Sequence, residues 1–140
     1  MNNLITITVG TEFTYVARLE EERAPKTCAA FRALLPYTEK LVHCRWSGEG
    51  CWIPLGDMNI GVGLENETGK PAPGMILWYP AAVSETELIF AYGTVIFASK
   101  FGQLAGNHFL TVVKGEAQLA AMGRSVLYGG AHDITFTCKA

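Results

Sequence analysis

Four side chains with chemical reach fall between positions 43 and 52 of this chain: His43, Arg45, Trp46 and Trp52. A guanidinium is planar and always charged, which suits gripping a carboxylate or a carbonyl oxygen. An imidazole that titrates near neutrality can give or take a proton. The two tryptophans flank the turn Ser47-Gly48-Glu49-Gly50 and supply either packing or a pocket wall. A second histidine, His108, follows Gly106-Asn107 and so opens a strand at the rim of its sheet. Arg45 and His108 are the candidate catalytic pair, with His43 beside them as a ligand contact.

Other groups are less promising. His132 and Asp133 are neighbours, and successive side chains on a strand point to opposite faces, so they do not make a dyad. Glu49 and Glu65 read as solvated loop acids. Three histidines without HxH or HExxH spacing argue against a metal site. Cys28, Cys44, Cys51 and Cys138 lack CxxC spacing, so four free, mostly buried thiols are expected in a reducing compartment. Gly61-Val62-Gly63 lacks the strand–turn–helix context of a phosphate loop, and no cofactor is expected.

The elements that must position these groups are mostly strands. Ile5, Ile7 and Val9 alternate with polar residues, Gly10-Thr11 breaks the run, and Phe13, Tyr15, Ala17 and Leu19 resume it, which predicts a hairpin. Pro25 opens a helix whose stripe is Cys28, Phe31, Leu34 and Leu35, with Lys26 and Arg32 facing out and Pro36 ending it. A strand from Lys40 to Trp46 puts Val42, Cys44 and Trp46 on one face and Leu41, His43 and Arg45 on the other. Cys51-Trp52-Ile53 continues after the turn, and Pro54 to Gly74 is a Gly- and Pro-rich excursion of the length that carries function in compact domains. Met75–Tyr79 and Glu87–Tyr92 are short and apolar throughout, as for strands buried on both faces. His108 to Val113 is a strand, Glu116 to Met122 a short helix ended by Gly123, and 126–128 and 134–138 are the last strands. The fold class is therefore mostly β: a closed barrel of about eight strands with two short helices, one domain over 1–140.

Composition excludes several classes. The chain is 49% hydrophobic and 17% charged, with a net charge of −2 and no two adjacent basic residues, so it offers no nucleic-acid footprint. No apolar run approaches the ~20 residues that span a bilayer, and the N-terminus lacks a signal peptide's basic region, so no membrane partner and a cytoplasmic location are expected.

Two words resemble the cyclophilin-like superfamily. Ala24-Pro25-Lys26-Thr27 through Phe31-Arg32-Ala33-Leu34 is similar to the first cyclophilin helix, and Leu104-Ala105-Gly106-Asn107-His108-Phe109 to the family's "LDGKHVVFG" segment. With Trp78-Tyr79-Pro80, the chain most resembles small bacterial cyclophilin-like proteins of uncharacterised function. The resemblance implies that Arg45 occupies the place of the arginine that polarises a prolyl amide, that His108 and Leu104 belong to the proline pocket, and that Phe97 corresponds to its phenylalanine. Gln103 stands where most eukaryotic cyclophilins carry Trp, and the Phe-Met word expected after the arginine is replaced by Gly50-Cys51-Trp52-Ile53.

Twisting an X–Pro bond means lowering a barrier of ~18–20 kcal/mol, which needs both a donor to the prolyl nitrogen and an apolar clamp on the ring. Arg45 supplies the donor; the clamp is incomplete. The reading is a small-molecule or peptide pocket at the barrel rim, lined by His43, Trp46, Trp52, Phe97, Gln103 and Leu104, in a protein that is not an efficient prolyl isomerase; the alternative is an isomerase with a divergent site. A surface so poor in charge predicts self-association, with a two-fold dimer the commonest closed form. Light scattering at micromolar concentration is expected to give twice the 15.2 kDa chain mass; a monomer would remove this expectation.

Overall fold

The computed structural model describes residues 2–140. Its strands are β1 (Leu4–Val9), β2 (Phe13–Leu19), β3 (Tyr37–His43), β4 (Gly48–Gly56), β5 (Glu67–Thr68), β6 (Met75–Tyr79), β7 (Thr86–Val95), β8 (Ala98–Ser99), β9 (Gly102–Gln103), β10 (Gly106–Lys114) and β11 (His132–Cys138). The helices are α1 (Pro25–Arg32) and α2 (Leu119–Gly129). Eight strands run in the order β2-β1-β11-β3-β4-β7-β6-β10, and pairing of β2 with β10 closes them into an antiparallel barrel. The short β5 pairs with the start of β10, and β8–β9 is a separate small hairpin.

Alternation builds the wall. Ile5, Ile7 and Val9 of β1 face inward beside Tyr15, Ala17 and Leu19 of β2, all buried. The turn between them uses Gly10 at φ +58°, a backbone region that costs glycine nothing. Register stacks the interior in two layers. Ile53, Leu88 and Trp78 lie side by side on β4, β7 and β6, and Cys51, Phe90 and Ile76 form the next layer. Phe31 of α1 enters the first layer, edge-on to Trp78, Phe109 and Phe136 with ring centroids 5.0 to 6.5 Å apart. Met122 of α2 meets the second layer, its sulfur 4.0 Å from the Cys51 thiol.

The helices differ from expectation in three places. α1 stops at Arg32, well before Pro36, so Leu34 and Leu35 pack on the core from the following turn. Arg32 is not free in solvent: it ion-pairs with Glu21 and donates to the Asn2 carbonyl. α2 runs through Gly123 and includes 126–128, which the sequence pattern assigns to a strand. Gly123 is there for space, because a Cβ at that position would sit 2.3 Å from the Tyr92 ring. Glycine costs a helix about 1 kcal/mol relative to alanine, so the packing outweighs the propensity.

β6 and β7 are buried on both faces. Ile76, Trp78, Leu88 and Phe90 point into the barrel, while Leu77, Ile89 and Ala91 join an outer cluster covered by Val95, Phe97 and Leu104. The excursion after β4 is pinned by a buried network. The Glu65 carboxylate accepts from the Thr27 backbone N–H at 2.6 Å and hydroxyl at 2.7 Å. Asn107 donates to Thr27 Oγ1 and to the Gly63 carbonyl and accepts from the Glu65 N–H. Truncation of Phe31 to alanine empties the centre of the aromatic layer and is expected to cost about 3–5 kcal/mol in denaturant unfolding. A loss under about 1 kcal/mol would show that α1 is not docked by this ring.

Candidate functional site

A single turn of 3₁₀ helix, Arg45–Ser47, joins β3 to β4 and decides the placement of the candidate residues. The sequence pattern extends the strand through Trp46, but β3 ends at His43. The turn is latched from outside the barrel. Ser47 is buried, its hydroxyl donates to the Ala98 carbonyl and accepts from the Ala98 N–H, both at 3.0 Å, and its carbonyl accepts from the Ile96 N–H. With Ser47 fixed, Trp46 and Arg45 line two different cavities.

Trp46 walls a cavity of about 490 Å³ on the outer face of β4 and β7. Trp52 and Glu87 are also in its lining, Ser84 and Glu85 border it from the turn between β6 and β7, and Lys100 and Phe101 border it from the β8–β9 hairpin. Trp46 is 58% exposed and Phe101 64% exposed, unusual for rings of that size. Lys100 lies over the Phe101 ring, 5.3 Å from its centroid. Glu87, by contrast, is only 5% exposed. Burial, reinforced by the charge of Glu85, lifts its carboxyl to about 7, and the neighbouring Trp52 indole N–H works against that rise. The Trp52 nitrogen is itself buried and has no partner of good hydrogen-bond geometry. A carboxyl whose neutral form is favoured by burial and an unsatisfied N–H thus share one wall of an aromatic cavity, an arrangement that a ligand carrying both donor and acceptor would complete.

Arg45 lines a second cavity, of about 370 Å³, between the β3–β4 turn and α2, with Glu49, Tyr92, Arg124 and Tyr128. His43 stands behind it: its Nε2 is 2.8 Å from the Tyr92 hydroxyl, and its Nδ1 is buried without a partner. Burial, and then the charge of Arg45, hold this imidazole below its usual value.

His108 is not brought to either cavity. Register places it beside Leu77, then Ile89, then Trp52, three strand spacings or about 14 Å across the sheet. A β-bulge follows it, and its Nε2 lies 2.7 Å from Thr111 Oγ1, whose hydroxyl proton goes to Glu20 at 2.6 Å. Burial holds His108 low while Glu20 pulls the other way. Phe97 is fully buried, edge-on to Tyr79, and Leu104 packs beside it in the outer cluster. Gln103 is exposed, with its side-chain amide over Gly69. Of the residues singled out from sequence, only Trp46 and Trp52 line one cavity together. Glu87, Lys100 and Phe101 were missed. The signal for Glu87 was an acid inside a strand buried on both faces.

Among the described residues no group of three or more His, Cys, Asp or Glu side chains could hold a metal ion, and no helix is long and apolar enough to cross a membrane. The cysteines are free: Cys28 and Cys51 are buried, with thiols pushed up to about 12 by burial, and Cys138 is exposed.

Residues 5–138 match the family described as a protein of unknown function, DUF3830. The chain belongs to this family. No curated protein matches it. Among solved structures it is similar to McbB in complex with tryptophan, at 19% identity and a TM-score of 0.71 over 97% of this chain. The chain spans 45% of the length of McbB, and the likeness is one of fold.

The DUF3830 chain's pH response should report Glu87. Its folded value near 7 lies above the unfolded value of 4.5, so the folded state holds an extra proton between them. The stability tied to that proton is full below pH 4.5 and is lost as pH rises through 7. Glu87→Gln is expected to flatten the profile over this window and to be more stable than wild type at pH 8, by about 2–3 kcal/mol. Superimposable profiles in urea unfolding would show that Glu87 is not held protonated.

Proposed function

We propose that this DUF3830 chain is a small-molecule-binding barrel domain whose site is the cavity walled by Trp46 and Trp52 around Glu87. The carrying observation is the nearly buried Glu87 carboxyl beside the unpartnered Trp52 N–H in a cavity lined by exposed aromatic rings. Leaving the buried Trp52 N–H unpaired costs about 1–3 kcal/mol, a cost that a bound ligand removes. The ligand class follows from the wall. A flat ring stacks against Trp46 or Phe101, an amine or N–H donor pairs with Glu87, and Lys100 at the rim accommodates an acid group. McbB, on a similar barrel, was solved with tryptophan, a ring carrying an amine, and that supports the same class here.

The cyclophilin resemblance supports a rim-binding barrel better than it supports proline isomerisation. Arg45 and His108, the two groups that isomerisation would need near one ligand, belong to separate surroundings. Weak or no isomerisation is therefore the expected result with a proline peptide, and a robust rate lost in Arg45→Ala would restore the alternative. Binding is tested by titration calorimetry with indole and phenyl amines, including tryptamine and tryptophan, alongside the matching ring without the amine. At least one amine is expected to bind, with Glu87→Gln and Trp52→Phe each weakening it about tenfold or more, the range for a hydrogen bond to a charged group. Equal affinity in Glu87→Gln, or heat from none of the amines, would overturn the reading.

A further inference from the structure

The second cavity, bounded by the β3–β4 turn, the end of β7 and α2, has a composition of its own. Two guanidinia, Arg45 and Arg124, line it, and neither is paired with an acid at salt-bridge distance among the described residues. Glu49 is the one carboxylate in the lining, and its Oε1 is already engaged by the Thr94 N–H at 2.9 Å. Tyr92 lines the same cavity, and burial holds its hydroxyl above its usual value although the charges of Arg45 and Arg124 both favour the ionised form. The Tyr92 ring is held in place from two sides. Its ring lies against the backbone of Gly123, where a Cβ would collide, and its hydroxyl is bonded to His43.

We propose that Arg45, Arg124 and the Tyr92 hydroxyl form a binding site for an oxyanion, either a phosphate or a carboxylate group. The two planar forks supply charge-assisted donors, and His43 completes the set. Its Nδ1 is buried without a partner, and burial and the charge of Arg45 both favour the form with a single ring proton. With that proton on Nε2 and donated to the Tyr92 oxygen, the phenol proton is free to point at the anion. The buried Nδ1 is then an unprotonated lone pair, cheaper to leave unpaired than an N–H. His43 is in this role a positioning residue: it touches Tyr92, not the anion. The site shares no lining residue with the Trp46 cavity and stands whether or not that cavity binds an amine.

The test is calorimetry and thermal shift with inorganic phosphate and, separately, acetate, at constant ionic strength set with chloride. One-to-one binding is expected, weakened about tenfold or more in Arg45→Gln and in Arg124→Gln, and unchanged in Lys26→Gln, an exposed position on α1. In nitrogen-15 spectra the His43 ring should be the Nε2-protonated tautomer, with its Nε2 signal shifting on addition of the anion, a response that Tyr92→Phe abolishes. Phosphate binding alone assigns a phosphate site, acetate alone a carboxylate site, and both the shared oxyanion chemistry. No heat with either anion, or undiminished binding in the Arg45→Gln/Arg124→Gln double variant, would overturn the proposal.

Discussion

Closure of the barrel through β10 is the constraint on which the remaining geometry depends. This one strand pairs with β6 along Asn107–Thr111 and with β2 along Leu110–Lys114, so it must turn the corner between two neighbours. It does so with irregularities after His108 and after Val112, where an extra residue bends the strand and raises its twist. Without that bend β2 has no partner and the barrel has two open edges. The bend also fixes His108: the bulge brings Thr111 within reach of its ring, and the Thr111–Glu20 bond completes a chain that holds the imidazole at the β2–β10 seam.

Closure decides which surfaces remain for chemistry. The interior is filled by aromatic rings and by Phe31 and Met122 from the two helices, and the two cavities described lie at the outer face of β4 and β7 and beside α2. The outer face of β6 and β7 is covered by Phe97 and Leu104, but the cover ends at the β8–β9 hairpin. At that edge the apolar surface of β4 and β7 meets solvent, with Trp52 and Glu87 on its floor. The Ser47–Ala98 latch connects this edge to the β3–β4 turn, and so couples the position of Trp46 to the hairpin that carries Phe101.

Much of the fold was legible in the sequence because its signals are local. Period-two alternation from Ile5 to Leu19 located a hairpin, and the uniformly apolar runs at 75–79 and 87–92 correctly announced strands buried on both faces. The failures come from tertiary packing overriding local chemistry. Gly123 reads as a helix stop, yet it is a slot for the Tyr92 ring, which no property of residues 116–129 could reveal. The site was less legible for a related reason. Strand alternation puts Arg45 and Trp46 on opposite faces of one strand, but a 3₁₀ turn held by Ser47, through contacts fifty residues away, places them. Glu87 was hidden within a strand read only for its apolar residues.

The two words that carry the cyclophilin resemblance show what such a likeness transmits. Thr27 in the first and Asn107 in the second meet each other directly, 3.1 Å apart, and both bond Glu65 from the excursion after β4. Both are fully buried, and every polar bond described for them is to another part of this chain. Their work is to fasten a long loop and the start of α1 to the strand that closes the barrel. Buried polar networks of this kind are costly unless every member is satisfied, so the residue types that satisfy them are narrowly restricted. Residues under that restriction preserve a sequence word through architecture alone, while Arg45, Gln103 and Trp46 on the surface are free to serve another ligand. A resemblance anchored on Thr27 and Asn107 therefore argues for the barrel and says little about what its rim binds.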